Sequence, residues 1–148
     1  MSDSFDPFRF FYPWRVRYSE VDPQQIVFNS RYLEYADAAG TEYFRELGFS
    51  PLDLPAAHNL NMVVAHTEID YLSPARLDDL LHVFVRTAKL GGTSFTTQFE
   101  IRRAADGEIL TRIVIKYVNL DESTGRSMSL PESFRRAVAA YEKQPVPS

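Results

Sequence analysis

Asp22 opens the stretch with the clearest chemical potential in the chain: Asp22-Pro23-Gln24-Gln25-Ile26-Val27-Phe28-Asn29-Ser30-Arg31-Tyr32. The carboxylate follows a strand-like run, Trp14-Arg15-Val16-Arg17-Tyr18, and is followed by a short Pro/Gln turn. Asn29 and Ser30 come next, both good helix N-caps, and a helix-period pattern begins after them. This layout sets a carboxylate beside the unpaired N–H groups of a helix N-terminus. Those groups, with the positive end of the helix dipole, stabilise negative charge on an oxygen. A carboxylate nucleophile or base facing an oxyanion site is a workable kit for hydrolysing an activated acyl group. The plainer reading is a turn aspartate before a proline, followed by simple caps. Spacing alone leaves both open.

Other chemistries have less behind them. His58, His66 and His82 lack metal-ligand spacing, and no H-E-x-x-H pattern occurs. Gly92-Thr93-Ser94-Phe95-Thr96 lacks the closing glycine of a nucleophile elbow. Phosphate-loop and dinucleotide fingerprints are absent. The chain has no cysteine, which removes disulfides, thiolate metal sites and a cysteine nucleophile. A net charge of −4 argues against nucleic acid as a partner. The pairs Arg102-Arg103 and Arg135-Arg136 read as solvated faces. No apolar run reaches the roughly 18 residues of a membrane span. Met1 to Asp6 lacks the basic start and apolar core of a signal peptide, so the expected location is cytoplasmic.

The elements that must hold Asp22 in place follow from periodicity. At 148 residues the chain reads as one domain, 1–148, with loose tails at 1–9 and 144–148. Residues 11–20 read as a strand. Tyr32, Tyr35, Ala36, Ala39, Tyr43, Phe44 and Leu47 recur at helical steps, and Gly48 is a natural stop. Gly40 costs this helix about 1 kcal/mol relative to Ala, which points to close packing against a sheet. Ser50–Asn61 reads as a loop. Four strands follow: Met62–Tyr71, Leu80–Leu90, Thr93–Arg103 and Leu110–Leu120. In the first, Val64, His66 and Glu68 are expected on one face and Ala65, Thr67 and Tyr71 on the other. Gly91-Gly92 is a hairpin signal, and Asp106-Gly107 reads as a type I′ turn. A last helix starts at Pro131 and ends near Tyr141. One long helix against an antiparallel sheet is an α+β arrangement. Strands with apolar residues on both faces favour oligomerisation.

Four blocks, in order, resemble a known family. "DPQQIVFNSRYLEYADAAGTEYF" is similar to the active-site segment of hotdog-fold acyl-CoA thioesterases of the 4-hydroxybenzoyl-CoA thioesterase type. "EIDYLSPARLDDLLHV", "KLGGTSFTTQFEI" and "LPESFRRAV" resemble that family's next strands, hairpin and C-terminal helix. The resemblance covers roughly residues 11–142. It implies a curved antiparallel five-stranded sheet wrapped around one central helix, and cleavage of an acyl- or aryl-CoA to free acid and CoA. Asp22 would be nucleophile or general base. A backbone N–H near Asn29 would hold the oxyanion, with the Asn29 side chain orienting substrate or water.

The same resemblance puts Asp37 near the acyl group, and Gln25, Val27, Phe28, Ser30 and Tyr32 are further candidate substrate-binding residues. Val64, Ala65 and His66, with Lys89, Gly91, Thr93 and Ser94, would lie along coenzyme A. No metal or redox cofactor is implied, coenzyme A being part of the substrate. A homodimer assembling to a homotetramer is implied, with the site at the subunit boundary. Gln25 departs from the family's usual glycine, a residue tolerant of unusual backbone angles. Gly91, Gly92 and Thr93 replace basic turn residues, so Lys89, Arg102, Arg103 or Arg76 would have to meet the phosphates. An acyl-carrier-protein substrate and a non-catalytic acyl-CoA-binding module are the competing readings. A carrier protein calls for a basic patch at the pocket mouth. A binding module calls for a pocket without turnover.

Overall fold

Tyr32, Tyr35, Ala36, Ala39, Gly40, Tyr43 and Phe44 form the buried stripe of helix α1, Arg31–Glu46. In the computed structural model, which describes residues 5–52, 54 and 58–148, this helix lies against the first two strands of one sheet. Gly40 faces the Phe99 ring, and a Cβ there would sit 3.4 Å from the ring edge, at ordinary van der Waals contact, so the helix–sheet approach is close without requiring a glycine. The helix stops where its sequence says it should. Gly48 takes φ 96°, its N–H donates to the Arg45 carbonyl and the Phe49 N–H to that of Phe44. This paired closure satisfies carbonyls that the helix end would otherwise leave open. Of the expected loop Ser50–Asn61, residues 53 and 55–57 lie outside the described residues.

The strands are β1 (Phe10–Arg15), β2 (Met62–Tyr71), β3 (Leu80–Leu90), β4 (Ser94–Arg103) and β5 (Ile109–Asn119); helix α2 spans Glu132–Tyr141. They form one antiparallel sheet in the order β1-β3-β4-β5-β2. This is the α+β architecture expected, a five-stranded antiparallel sheet around one long helix. Leu81, Val83 and Val85 from β3, Phe95, Phe99 and Ile101 from β4, and Ile113 and Ile115 from β5 fill the face turned to α1. Phe134 of α2 closes the core against Phe44, Phe49 and Phe95.

The structure corrects several expectations. The first strand ends at Arg15, not Glu20, and the chain then makes a single 3-10 turn over Tyr18–Glu20. The Glu20 carboxylate drives this: its Oε1 accepts from the Arg17 N–H (2.9 Å), the Trp14 indole (3.2 Å) and the Tyr35 hydroxyl (2.8 Å). In β2 the pairing with β5 shifts between Val64 and His66, leaving Ala65 as a bulge. The extra residue breaks the expected alternation. Val64 therefore sits opposite Tyr117 on the same side as Thr67, Ile69 and Tyr71, while His66 pairs with Lys116 on the other.

Asp106-Gly107 is not a type I′ turn. Only Gly107 has positive φ, its N–H reaches back to the Arg103 carbonyl, and Asp106 spends its carboxylate on the Glu108 N–H and on Arg103. The ends of the chain are not loose where they are described. Phe8 is buried beside Phe84 on the outer sheet face, and Asp6 pairs with Arg102 at 2.9 Å. At the other end, the Pro147 carbonyl accepts the Leu90 N–H and Val146 packs on the core.

The arginine pairs are not simply solvated. Arg102 also binds Glu100, Arg103 meets Asp79, Asp106 and Glu108, and Arg135 holds the Gly91 and Gly92 carbonyls. No helix of the described residues is long and apolar enough to cross a membrane.

Candidate active site

Asp22 stands in a narrow loop closed by the bridge between Val21 and Val27. Its backbone N–H donates to the Ile26 carbonyl, and its own carbonyl accepts the Gln25 N–H. The loop thus makes a turn at Asp22–Gln25 and ends on a residue in the left-handed region. That residue is Gln25, at φ 62°. Short hairpin loops of this kind usually place glycine there. The position therefore keeps the backbone angle a glycine would supply, and a glutamine adopts it at a cost of roughly 1–2 kcal/mol. Asp22 Oδ1 accepts the Gln24 N–H at 2.8 Å. Among the described residues its other oxygen has no protein partner, so it is open to a ligand.

The helix N-terminus is equally open. Ser30 is the N-cap, at φ −75° and ψ −16°, and makes no side-chain cap bond. Capping needs an extended backbone at this residue, so helical angles turn the hydroxyl away and the expected side-chain caps do not form. The Arg31 N–H is used by the Phe28 carbonyl at 2.9 Å. Among the described residues the N–H groups of Asn29 and Ser30 have no protein acceptor. The loop itself is anchored from behind, because the Phe28 N–H donates to the Glu20 carbonyl and the Val27 N–H to that of Ala75.

Three clefts gather the candidate residues. Val27, Asn29 and Tyr32 line a mostly apolar groove of about 350 Å³ with Ile26 and the segment Tyr71–Pro74. Asp22 and Gln25 line a second, of about 290 Å³, with Tyr18, Val21 and Pro23. Lys89, Gly91 and Ser94 line a third, of about 270 Å³, with Phe95, Thr96 and Lys116. Within one chain Asp22 and Asn29 thus open onto different clefts, joined through the loop they share.

The remaining candidates line none of these three. Phe28 and Ser30 are exposed, and Thr93 gives its carbonyl to the Asn119 N–H. Val64, Ala65 and His66 lie on the outermost strand, where His66 approaches Glu68 at 3.3 Å. Asp37 is exposed and faces Tyr117, whose phenol is pushed up to about 12, first by burial and then by the Asp37 charge. Glu34 and Glu42 pair with Arg31 and Arg45 on the helix surface. Glu20 is a buried anchor rather than a free carboxylate.

Two residues escaped the sequence reading. Tyr71 donates its hydroxyl to the Asn29 carbonyl at 3.0 Å and stands edge-on to Tyr32. Nothing marked it beyond its place near the end of a strand. Lys116 reaches the third cleft because β5 pairs it with Thr96, itself the partner of Lys89. Cross-strand register of that kind is not written in any one segment.

A five-stranded antiparallel sheet around one long helix is the hotdog fold. The sequence pattern of the thioesterase superfamily matches residues 24–110, and the chain belongs to that family. It is 32% identical over 128 residues to the acyl-CoA thioesterase YbgC of Haemophilus influenzae, covering 86% of this chain and 93% of that protein. It is 29% identical over 129 residues to the long-chain acyl-CoA thioesterase FadM of Escherichia coli, covering 87% and 96%. Its structure is similar to that of a thioesterase from Thermus thermophilus complexed with coenzyme A and Zn, with a TM-score of 0.81 and 32% identity over 96% of this chain and 100% of that one.

Proposed function

We propose that this thioester hydrolase cleaves acyl-CoA, R–CO–S–CoA plus water giving R–COOH and CoA–SH, with Asp22 acting at the thioester carbonyl. The observation that carries the reading is the pairing, on one loop, of an open carboxylate oxygen with two unused N–H groups at the start of α1. Asp22 attacks the carbonyl carbon itself, giving on loss of the thiolate a mixed anhydride that water then hydrolyses to R–COOH and the free carboxylate, or it takes the proton of a water that attacks the thioester directly. In either course the carbonyl oxygen becomes an oxyanion, which the N–H groups of Asn29 and Ser30 stabilise. The C–S bond then breaks and the thiolate leaves without needing a strong general acid, so the chemistry requires no metal or redox cofactor.

The groove beside Val27 and Tyr32 takes the acyl group. The cleft between Lys89 and Lys116 takes the phosphates of coenzyme A, since neither ammonium has a carboxylate partner among the described residues, whereas Arg102 and Arg103 are committed to acids. A second copy completes the site. Strand β2 is an unpaired edge with Val63, Val64 and Tyr71 exposed, and pairing it with the same strand of another chain would bury that edge. A dimer built this way, doubled to a tetramer, is the assembly this reading requires.

Hydrolysis of short, long and aryl acyl-CoAs, followed by release of free thiol, tests the proposal. Asp22→Asn keeps the turn, because an amide oxygen still accepts the Gln24 N–H. It is expected to lower turnover about 10²-fold or more with an unchanged melting temperature. Near-normal turnover in that variant removes Asp22 from the chemistry.

A further inference from the structure

Among the described residues the Tyr71 side chain makes one hydrogen bond, and it falls on the peptide that matters most for the proposed chemistry. Its hydroxyl donates to the carbonyl of Asn29 at 3.0 Å. That carbonyl belongs to the same planar peptide as the Ser30 N–H, one of the two N–H groups left without an acceptor among the described residues. The other, on Asn29, is one peptide earlier. A donor fixed on the carbonyl holds the plane of the unit and the ψ of Asn29. It also polarises the peptide, which makes its N–H a stronger donor.

The phenol is itself well placed to hold. Its ring stands edge-on to Tyr32, with centroids 5.5 Å apart and planes at 77°, and Tyr32 is fixed in turn by accepting the Ala75 N–H at 3.1 Å. Strand pairing sets Tyr71 opposite Thr111, on the sheet face turned to α1. The helix N-terminus has no side-chain cap of its own, so the Tyr71 hydroxyl from β2 joins the Phe28–Glu20 tether in orienting its first peptides.

We propose that Tyr71 is a positioning residue for the oxyanion site: it sets the direction and strength of the backbone donors at Asn29 and Ser30 without touching the reacting atoms. The inference rests on the thioesterase reading above. It predicts that Tyr71→Phe, which keeps the ring and removes the donor, lowers kcat about tenfold and leaves KM within twofold. A donor that acts only in the transition state should be felt in kcat. The expected loss is smaller than the hundredfold or more seen when an oxyanion donor is itself deleted, because the N–H groups remain.

A second readout separates this role from ordinary support. In the free protein, the amide ¹⁵N and ¹H resonances of Asn29 and Ser30 should shift in Tyr71→Phe, while amides of β4 and of the C-terminal half of α1 stay in place. Unchanged kcat overturns the proposal. So does a raised KM with unchanged kcat, which would make Tyr71 a substrate contact, and so does a fall in kcat with unmoved Asn29 and Ser30 resonances. The resonance test does not need turnover. If the wild-type protein hydrolysed no acyl-CoA, the thioesterase reading would fail while the link between Tyr71 and the helix N-terminus was still judged.

Discussion

At its C-terminal end α1 is closed by Gly48 and Phe49, with backbone N–H groups returning to Arg45 and Phe44 and the Phe49 ring packed on Phe134. At its N-terminal end the same helix leaves the N–H groups of Asn29 and Ser30 without an acceptor among the described residues, caps nothing with Ser30 and borrows a phenol from β2. Each end also has a glutamate from outside the helix bound to a tyrosine within it: Glu20 to Tyr35 near the site, Glu142 to Tyr43 near the tail. One end is closed by its own backbone bonds; the other, in the mechanism proposed above, stays open for a substrate oxygen. Open polar groups are costly when buried and useful when they face a substrate. The scaffold holds the exposed end in place from behind, through Glu20, so that its front can stay unpaired.

Glu20→Ala is the largest break available at the site end. It strands the Trp14 indole, the Arg17 N–H and the Tyr35 hydroxyl, all of which now share one oxygen. Buried donors left without partners cost about 1–3 kcal/mol each where water cannot reach them. Only the Tyr35 bond is fully buried, so the expected loss is about 3 kcal/mol, measured by denaturant unfolding. Turnover in the folded fraction should fall too, since freeing the turn lets the Glu20 carbonyl, retained in the variant, shift with the Phe28 N–H it tethers one residue before Asn29. A loss of stability with unchanged turnover would separate the anchor from the site.

The contrast between the two ends also marks how far the sequence could be read. The finished end was legible because its signals are local: tyrosines and alanines at helical steps, a glycine where the helix must stop, and strands announced by alternation and glycine turns. The helix start was legible by spacing, and family resemblance made Asp22 a candidate. What stayed hidden depends on partners distant in sequence. Glu20 shortens the first strand by gathering donors from Trp14, Arg17 and Tyr35. The bulge at Ala65 puts Val64 and His66 on opposite faces, and the alternation of apolar residues carries no sign of it. The tails dock because Phe8 finds Phe84 and Pro147 finds Leu90, and their composition alone suggested looseness. Gln25 shows the opposite case: its residue type argued against a left-handed turn, and the loop imposed the turn regardless.

A smaller break belongs at the finished end. Gly48 holds φ 96° with open space around its Cα, so a side chain there meets no neighbour but strains the backbone. Gly48→Ala is expected to cost about 1 kcal/mol and to leave kcat and KM as they are. Chemical denaturation beside steady-state kinetics checks both halves. A change in turnover would mean that the two ends of α1 communicate, and that the division between a structural end and a working end is too sharp.

The smallest effect is expected from Glu142, and it appears only as a dependence on pH. This carboxylate accepts from the Tyr43 hydroxyl and, at 3.0 Å, from the Thr87 N–H, a donor beside the irregularity in β3 pairing between Thr87 and Lys89. Burial holds its pKa above the ordinary 4.5, and the bonds from Tyr43 and Thr87 pull only partly against that. A folded pKa above the unfolded one means that the native state binds the proton more tightly. The stabilisation is therefore complete below the ordinary carboxylate value and fades as pH rises through the raised folded value. Glu142→Gln keeps an oxygen for Tyr43 and Thr87 and cannot ionise. Its stability relative to wild type should rise across that window and then level off, as followed by melting temperature from pH 4 upward. Because the group lies at the tail end of α1, kcat should show no step in the same window that Glu142→Gln removes. A parallel change in kcat would tie the tail to the site. A flat stability difference would mean that burial does not raise the proton affinity of Glu142.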